Sequence, residues 1–222
     1  MPLAIAGGFL LCELLLMYTA GRRLSSRLLT WTLQNKGPKR FFGWALMMPG
    51  TALHELSHAL VVILLGGKIH AFVPFRPVEN EDGSFQLGYV EHSEVHLGAL
   101  GGALVGMAPL VGVPLAIWGL GLLMLPSGGT PLEMLSWTVA NPVSLGPLWL
   151  LIAAPLSLGA LPSPSDHRHL PLGAAMLVIP LLVLSLAGLV AAQSLLQTPL
   201  IGWVQLLLLP SCVACLGFLP RR

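Results

Sequence analysis

Apolar and polar positions change along this chain in whole segments rather than residue by residue. Apolar runs cover about residues 3–20, from 41 or 43 to 65, 96–125, 143–161, 171–194 and 200–219, and stretches rich in polar residues, glycine or proline separate them. A run of roughly 20 apolar residues, rising 1.5 Å each, crosses the hydrocarbon core of a bilayer as a helix. The pattern predicts an all-α polytopic membrane protein with five or six transmembrane helices, six being the better count. The run at 3–20 lacks a basic leader and a cleavage site, so it reads as a retained helix rather than a signal peptide. Glu13, in its middle, reads as a protonated or hydrogen-bonded packing residue rather than part of a site. The glycine-dense run at 96–125 contains Pro109 and Pro114, which membrane helices tolerate where neighbours satisfy the freed carbonyls.

One stretch follows a different period. KIHAFVPF (68–75) and FQLGYV (85–90) carry alternating β-formers on either side of ENEDGS, whose Asp82-Gly83 pair suits a tight turn. A small β-hairpin over about 68–90 is therefore predicted. Pro74 and Pro77 cannot donate to a ladder, so its first strand lies at an edge or ends early. The stretch 126–142 (PSGGTPLEMLSWTVANP) reads as a polar connection.

Composition agrees with the pattern. Of 222 residues 55% are hydrophobic and only 9% charged, with a mean hydropathy of +0.82, whereas an ordinary soluble domain carries roughly 25% charged residues. So few charges cannot solvate a globule of this size, and the bilayer is the expected partner of most of the surface. No linker divides the chain, which reads as one membrane-embedded domain, 1–222, with its core at 43–170. An integral, multi-pass place in the cell membrane is the expectation. The net charge of +2 says little, but Arg22, Arg23, Arg27, Lys36, Lys39 and Arg40 crowd into 21–40 with no acid among them. That segment reads as an interfacial connection against lipid headgroups. No basic patch interleaves with aromatics, so no nucleic acid is expected as a partner. Cys12, Cys212 and Cys215 all lie in apolar runs. Cys212 and Cys215, three residues apart without further ligands nearby, read as small apolar side chains rather than a redox or metal pair.

Within the second apolar run stands HELSH, residues 54–58. Histidines four apart on a helix share one face, where both imidazoles can bind one metal. Glu55, one residue after the first ligand, can reach a water at that metal without ligating it, as a general base. HExxH alone is moderately specific. Three ionisable groups deep in an apolar span, however, would cost several kcal/mol if unpaired, and a cation offsets that cost. The bland alternative, histidines bonded to neighbouring helices, is the weaker reading.

A tetrahedral site needs a third protein ligand. After residue 94 the chain has two acids, Glu133 and Asp166. Glu133 has no other ligand-type residue near it. Asp166 stands in PSPSDHRH, where prolines hold the backbone open. Asp166 is the first choice, with His167 and His169 as alternative donors, and helix N-capping as its competing role. It can meet the histidines only if its segment dips into the membrane, which irregular backbone does where it lines a watery cavity. His92 and His96, with Glu94 between them, have ligand spacing too but read as interfacial polar residues.

HELSH in an apolar span, then GGK, a hairpin, a glycine- and proline-rich span and a proline-flanked aspartate, resembles the site-2 protease family of intramembrane zinc metalloproteases over roughly residues 43–170. PSPSDHRH is similar, in weaker form, to that family's Asn-Pro-Asp-Gly-type segment. No asparagine precedes its prolines, and His167 stands where the glycine is expected. The resemblance implies Zn²⁺ held by His54, His58 and Asp166, Glu55 as catalytic base, and a membrane-protein substrate cut within its transmembrane segment. It also implies a role for the hairpin, whose edge strand could hold the unwound substrate by β-augmentation, as against a simple structural loop. The positive-inside rule places 21–40 in the cytoplasm, and the resemblance places the hairpin there instead, so orientation stays open. Two other classes compete: a non-catalytic membrane subunit, its partners unknown, that keeps a structural or vestigial zinc site for structure or binding, and a proton or metal transporter. An intact Glu55 speaks against the first, and the clustering of ionisable groups on one span speaks against the second.

Overall fold

The computed structural model describes residues 21, 23–81, 85–126, 131–160 and 166. The apolar runs at 3–20, 171–194 and 200–219, with Glu13 and the three cysteines, lie outside the described residues. Within them the chain is mostly helical, with one small β element.

Residues 23–34 form a helix, α1. A turn at Gly37, whose φ is 60°, leads into α2, Pro38–Leu64, with proline in the first turn where its missing N–H costs nothing. Thr32 of α1 is fully buried, and its side chain occupies the space that a Cβ on Gly43 of α2 would need. The basic segment expected as an interfacial connection is therefore largely helical and packed on α2 at this point. Helix α2 ends where the sequence expects. Gly66 takes a φ of 73°, its N–H bonds to the Ile63 carbonyl, and the Gly67 N–H bonds to that of Val62. This pair of bonds satisfies the last free carbonyls of the helix, and the left-handed turn it requires favours glycine.

The predicted hairpin follows. Strand β1, Ile69–Val73, pairs antiparallel with β4, Tyr89–His92, with Val73 opposite Tyr89. Beyond them β2, Val78–Glu79, pairs with β3, Phe85–Gln86. β1 stops immediately before Pro74, as a strand must when the next residue has no N–H to donate. Two residues are taken up between the two pairings: five steps from Val73 to Val78 answer three from Tyr89 to Gln86. Pro74 and Pro77 sit in that slip.

Helix α3, Ala99–Met124, runs back along α2. Both α2 and α3 are long and apolar enough to cross a membrane. Leu56, Leu60 and Ile63 of α2, which are 51%, 57% and 60% exposed, form an apolar stripe on the side of the helix away from His54 and His58. The stretch expected as a polar connection contains a helix instead, α4, Pro131–Ala140. Its polar residues conceal an inward face: Met134 and Thr138 are buried, the latter with its hydroxyl bonded back to the Met134 carbonyl. Helix α5, Gly146–Ser157, continues as a 3₁₀ turn at Leu158–Ala160, so over the described residues the fourth expected span is an apolar helix shorter than α2 and α3.

The core lies between α3, α4 and α5, around Val113, Ile117, Met134, Trp149 and Ala153. Trp149 is fully buried and its Nε1–H donates to the Ile117 carbonyl at 3.2 Å, which meets the rule that a buried indole N–H finds an acceptor. On the other side, Gly50 of α2 meets the end of α5 backbone to backbone. A Cβ on Gly50 would lie 2.5 Å from the Pro155 carbonyl oxygen and 2.9 Å from the Gly159 nitrogen. Small residues permit that approach, and it brings the 3₁₀ turn against the middle of α2.

Candidate metal centre

His54 and His58 lie one helical turn apart on α2, both buried, with Glu55 and Asp166 buried as well. Each imidazole is anchored at its Nδ1. That of His54 donates to the Gly159 carbonyl and that of His58 to the Val105 carbonyl, both at 2.7 Å. A carbonyl can only accept, so Nδ1 carries the hydrogen in both rings, and in a neutral ring Nε2 presents its lone pair. The two Nε2 atoms face each other at 3.1 Å. Asp166 closes the triangle: one carboxylate oxygen is 3.3 Å from His54 Nε2 and the other 3.3 Å from His58 Nε2.

Three lone-pair donors thus converge on one point, and among the described residues no other His/Cys/Asp/Glu group does so. The spacing suits a cation. Ligands about 2.0–2.1 Å from a tetrahedral metal lie about 3.3 Å from one another, and the separations here are 3.1, 3.3 and 3.3 Å. Carbonyl anchoring of the distal ring nitrogens is the outer-shell arrangement that orients histidine ligands. This buried group could hold a metal ion.

Glu55 points to a different neighbour. Gly88, between β3 and β4, lies against it: a Cβ there would be 2.9 Å from Glu55 Cγ, 2.8 Å from the Val73 carbonyl oxygen and 2.9 Å from that of Pro74. The hairpin backbone therefore roofs the glutamate, and a glycine is what lets it come so close. Nearby, Ser57 bonds back to the Leu53 carbonyl at 2.7 Å and takes no part in the triangle.

The structure brings His54, His58 and Asp166 together as the sequence expects. His167 and His169, the alternative donors, lie outside the described residues. His92 and His96 are not on one helix. His92 ends β4, its Nδ1 bonded to the Ser93 carbonyl, while His96 is exposed with its ring in the space beside Gly66. Neither joins the metal group. Glu133 stands in the first turn of α4, outside that group too. Sequence reasoning missed the carbonyls of Gly159 and Val105, and the contact of Gly88 with Glu55. Backbone acceptors leave no residue-type signature, and Gly88 resembles any turn glycine.

No family model matches this chain. No curated protein and no solved structure matches it either.

Proposed function

We propose that this chain is an intramembrane zinc metalloprotease, similar to the site-2 protease family, which hydrolyses peptide bonds in the transmembrane segments of other membrane proteins. The observation that carries the reading is the triangle of His54, His58 and Asp166, drawn from positions 112 residues apart at its widest (54 to 166) yet closed to 3.3 Å or less. An adjacent buried carboxylate, Glu55, has no ligand role left to play and suits a base.

In this mechanism His54, His58 and Asp166 hold the ion. Zinc, when bound, supplies a Lewis acid that polarises the scissile carbonyl and makes water acidic enough to attack near neutral pH. Glu55 accepts the proton of the attacking water and returns it to the departing amide nitrogen, so that protons balance over the cycle. The Gly159 and Val105 carbonyls keep both imidazoles in one tautomer while charge shifts. Burial of the four groups keeps bulk water from competing with the fixed dipoles. An extended substrate segment lies along the hairpin edge, held by main-chain hydrogen bonds, because a helix hides the bonds to be cut. Six spans in the cell membrane complete the proposal.

Zinc content tests it first. Detergent-purified wild type and Glu55→Gln are each expected to hold about one zinc per chain, and His54→Ala and Asp166→Ala to hold none. Wild type, offered the single-pass proteins of its own membrane, is then expected to cleave where Glu55→Gln does not. A wild-type protein that holds no zinc after reloading ends the protease reading. Zinc without any Glu55-dependent cleavage leaves a structural metal site in a non-catalytic subunit.

A further inference from the structure

Helix α3 runs unbroken from Ala99 to Met124 although Pro109 and Pro114 stand inside it. Proline has no N–H, and its ring crowds the carbonyl four residues earlier. Pro109 therefore takes the helical donor from Val105, and Pro114 takes it from Leu110. A carbonyl relieved of its donor tilts away from the helix axis, and in hydrocarbon it must find another partner. The Val105 carbonyl has one: it accepts the Nδ1–H of His58 at 2.7 Å, across the α2–α3 contact. Pro109 itself is fully buried.

We propose that Pro109 is a positioning residue of the metal centre. By withholding a helical N–H it turns the Val105 carbonyl over to His58, which fixes the hydrogen on Nδ1 and aims Nε2 at His54 and Asp166. The proposal rests on the reading of that triangle as a metal site. It also gives a reason for the proline at 109: four residues back is the carbonyl that faces the second histidine.

The test is Pro109→Ala beside Pro114→Ala in the full chain. Alanine at 109 returns an N–H to Val105, draws its carbonyl back to the helix axis and loosens His58. Loss of an outer-shell partner of this kind weakens metal affinity about 10- to 100-fold, so competition with a chromophoric zinc chelator should show a drop in that range for Pro109→Ala and wild-type affinity for Pro114→Ala. A metal-free thermal cycle reads the same link independently. In His58→Ala the Val105 carbonyl loses its partner, and Pro109→Ala supplies a new one, so Pro109→Ala should raise the melting temperature in that background relative to its effect in wild type. Wild-type zinc affinity in Pro109→Ala, or an identical melting shift in both backgrounds, overturns the proposal. A wild-type chain that binds no zinc overturns the metal reading, while the thermal cycle still decides whether Pro109 and His58 are linked.

Discussion

Two imidazole nitrogens and a carboxylate that turn their lone pairs on one another at 3.1 to 3.3 Å repel unless positive charge lies among them. At the scale of single residues this makes Asp166 the member whose charge matters most, since a histidine anchored through Nδ1–H to a carbonyl can offer Nε2 to a cation only as an uncharged ligand. Asp166→Asn keeps the volume and one carbonyl-type oxygen but removes the anion. We expect zinc affinity to fall by about 100-fold or more, beyond the range of outer-shell losses, with little change in helix content by circular dichroism. Near wild-type affinity in Asp166→Asn would mean that the carboxylate is not a ligand. The histidines were legible in the sequence because their relation is local: four residues on a helix are one turn wherever the helix goes. Asp166 was legible for the opposite reason, scarcity, since so few acids follow residue 94. The carbonyls of Gly159 and Val105 were not legible, because every residue has one and only tertiary packing selects which is used.

Among elements, the hairpin and α2 have the closest functional relation. Alternation placed the strands, with the Asp82-Gly83 pair outside the described residues, and the prolines correctly ended β1 at Val73. What alternation could not convey is the two-residue slip between the strand pairs, nor that it sets Gly88 against Glu55. Helix α4 escaped for a related reason: Glu133, Ser136 and Thr138 make its stretch read as polar, and the burial of Met134 and Thr138 depends on partners in α3 and α5. The Gly88 contact makes a prediction at this scale. A methyl group at 88 has to displace either the hairpin or the Glu55 side chain, and none of the atoms nearest to it belongs to His54, His58 or Asp166. Gly88→Ala should therefore hold zinc as wild type does and cleave substrate about 100-fold more slowly, the cost of a catalytic group misplaced by about 1 Å. Zinc stoichiometry and cleavage rate measured on one preparation check this. Unimpaired cleavage would show that the roof yields without moving Glu55.

For the whole molecule the proposed function makes the bilayer the relevant solvent, and the site's depth in α2 then follows from counting. From His54 and His58 to the end of α2 at Leu64 is about 15 and 9 Å at 1.5 Å per residue, well inside a hydrocarbon layer about 30 Å thick if the helix end lies near the interface. On the proposed reading an ion would join His54 and His58 to Asp166, from distant parts of the chain, so it should stabilise the fold. A ligand that binds only the native state adds about 2.7 kcal/mol at 100 times its Kd. In lipid nanodiscs we therefore expect wild type to melt at a higher temperature with zinc than after chelation, and Asp166→Asn to melt alike in both. The same depth requires an aqueous path for the ion, so a chelator that cannot cross the bilayer should strip zinc from one side of sealed proteoliposomes and not from the other. If chelation removes zinc and leaves the wild-type melting temperature unchanged, the triangle is held by helix packing alone. Asp166 would then rest against α2 through the Gly50–Gly159 backbone contact, with the metal filling a site already built without it.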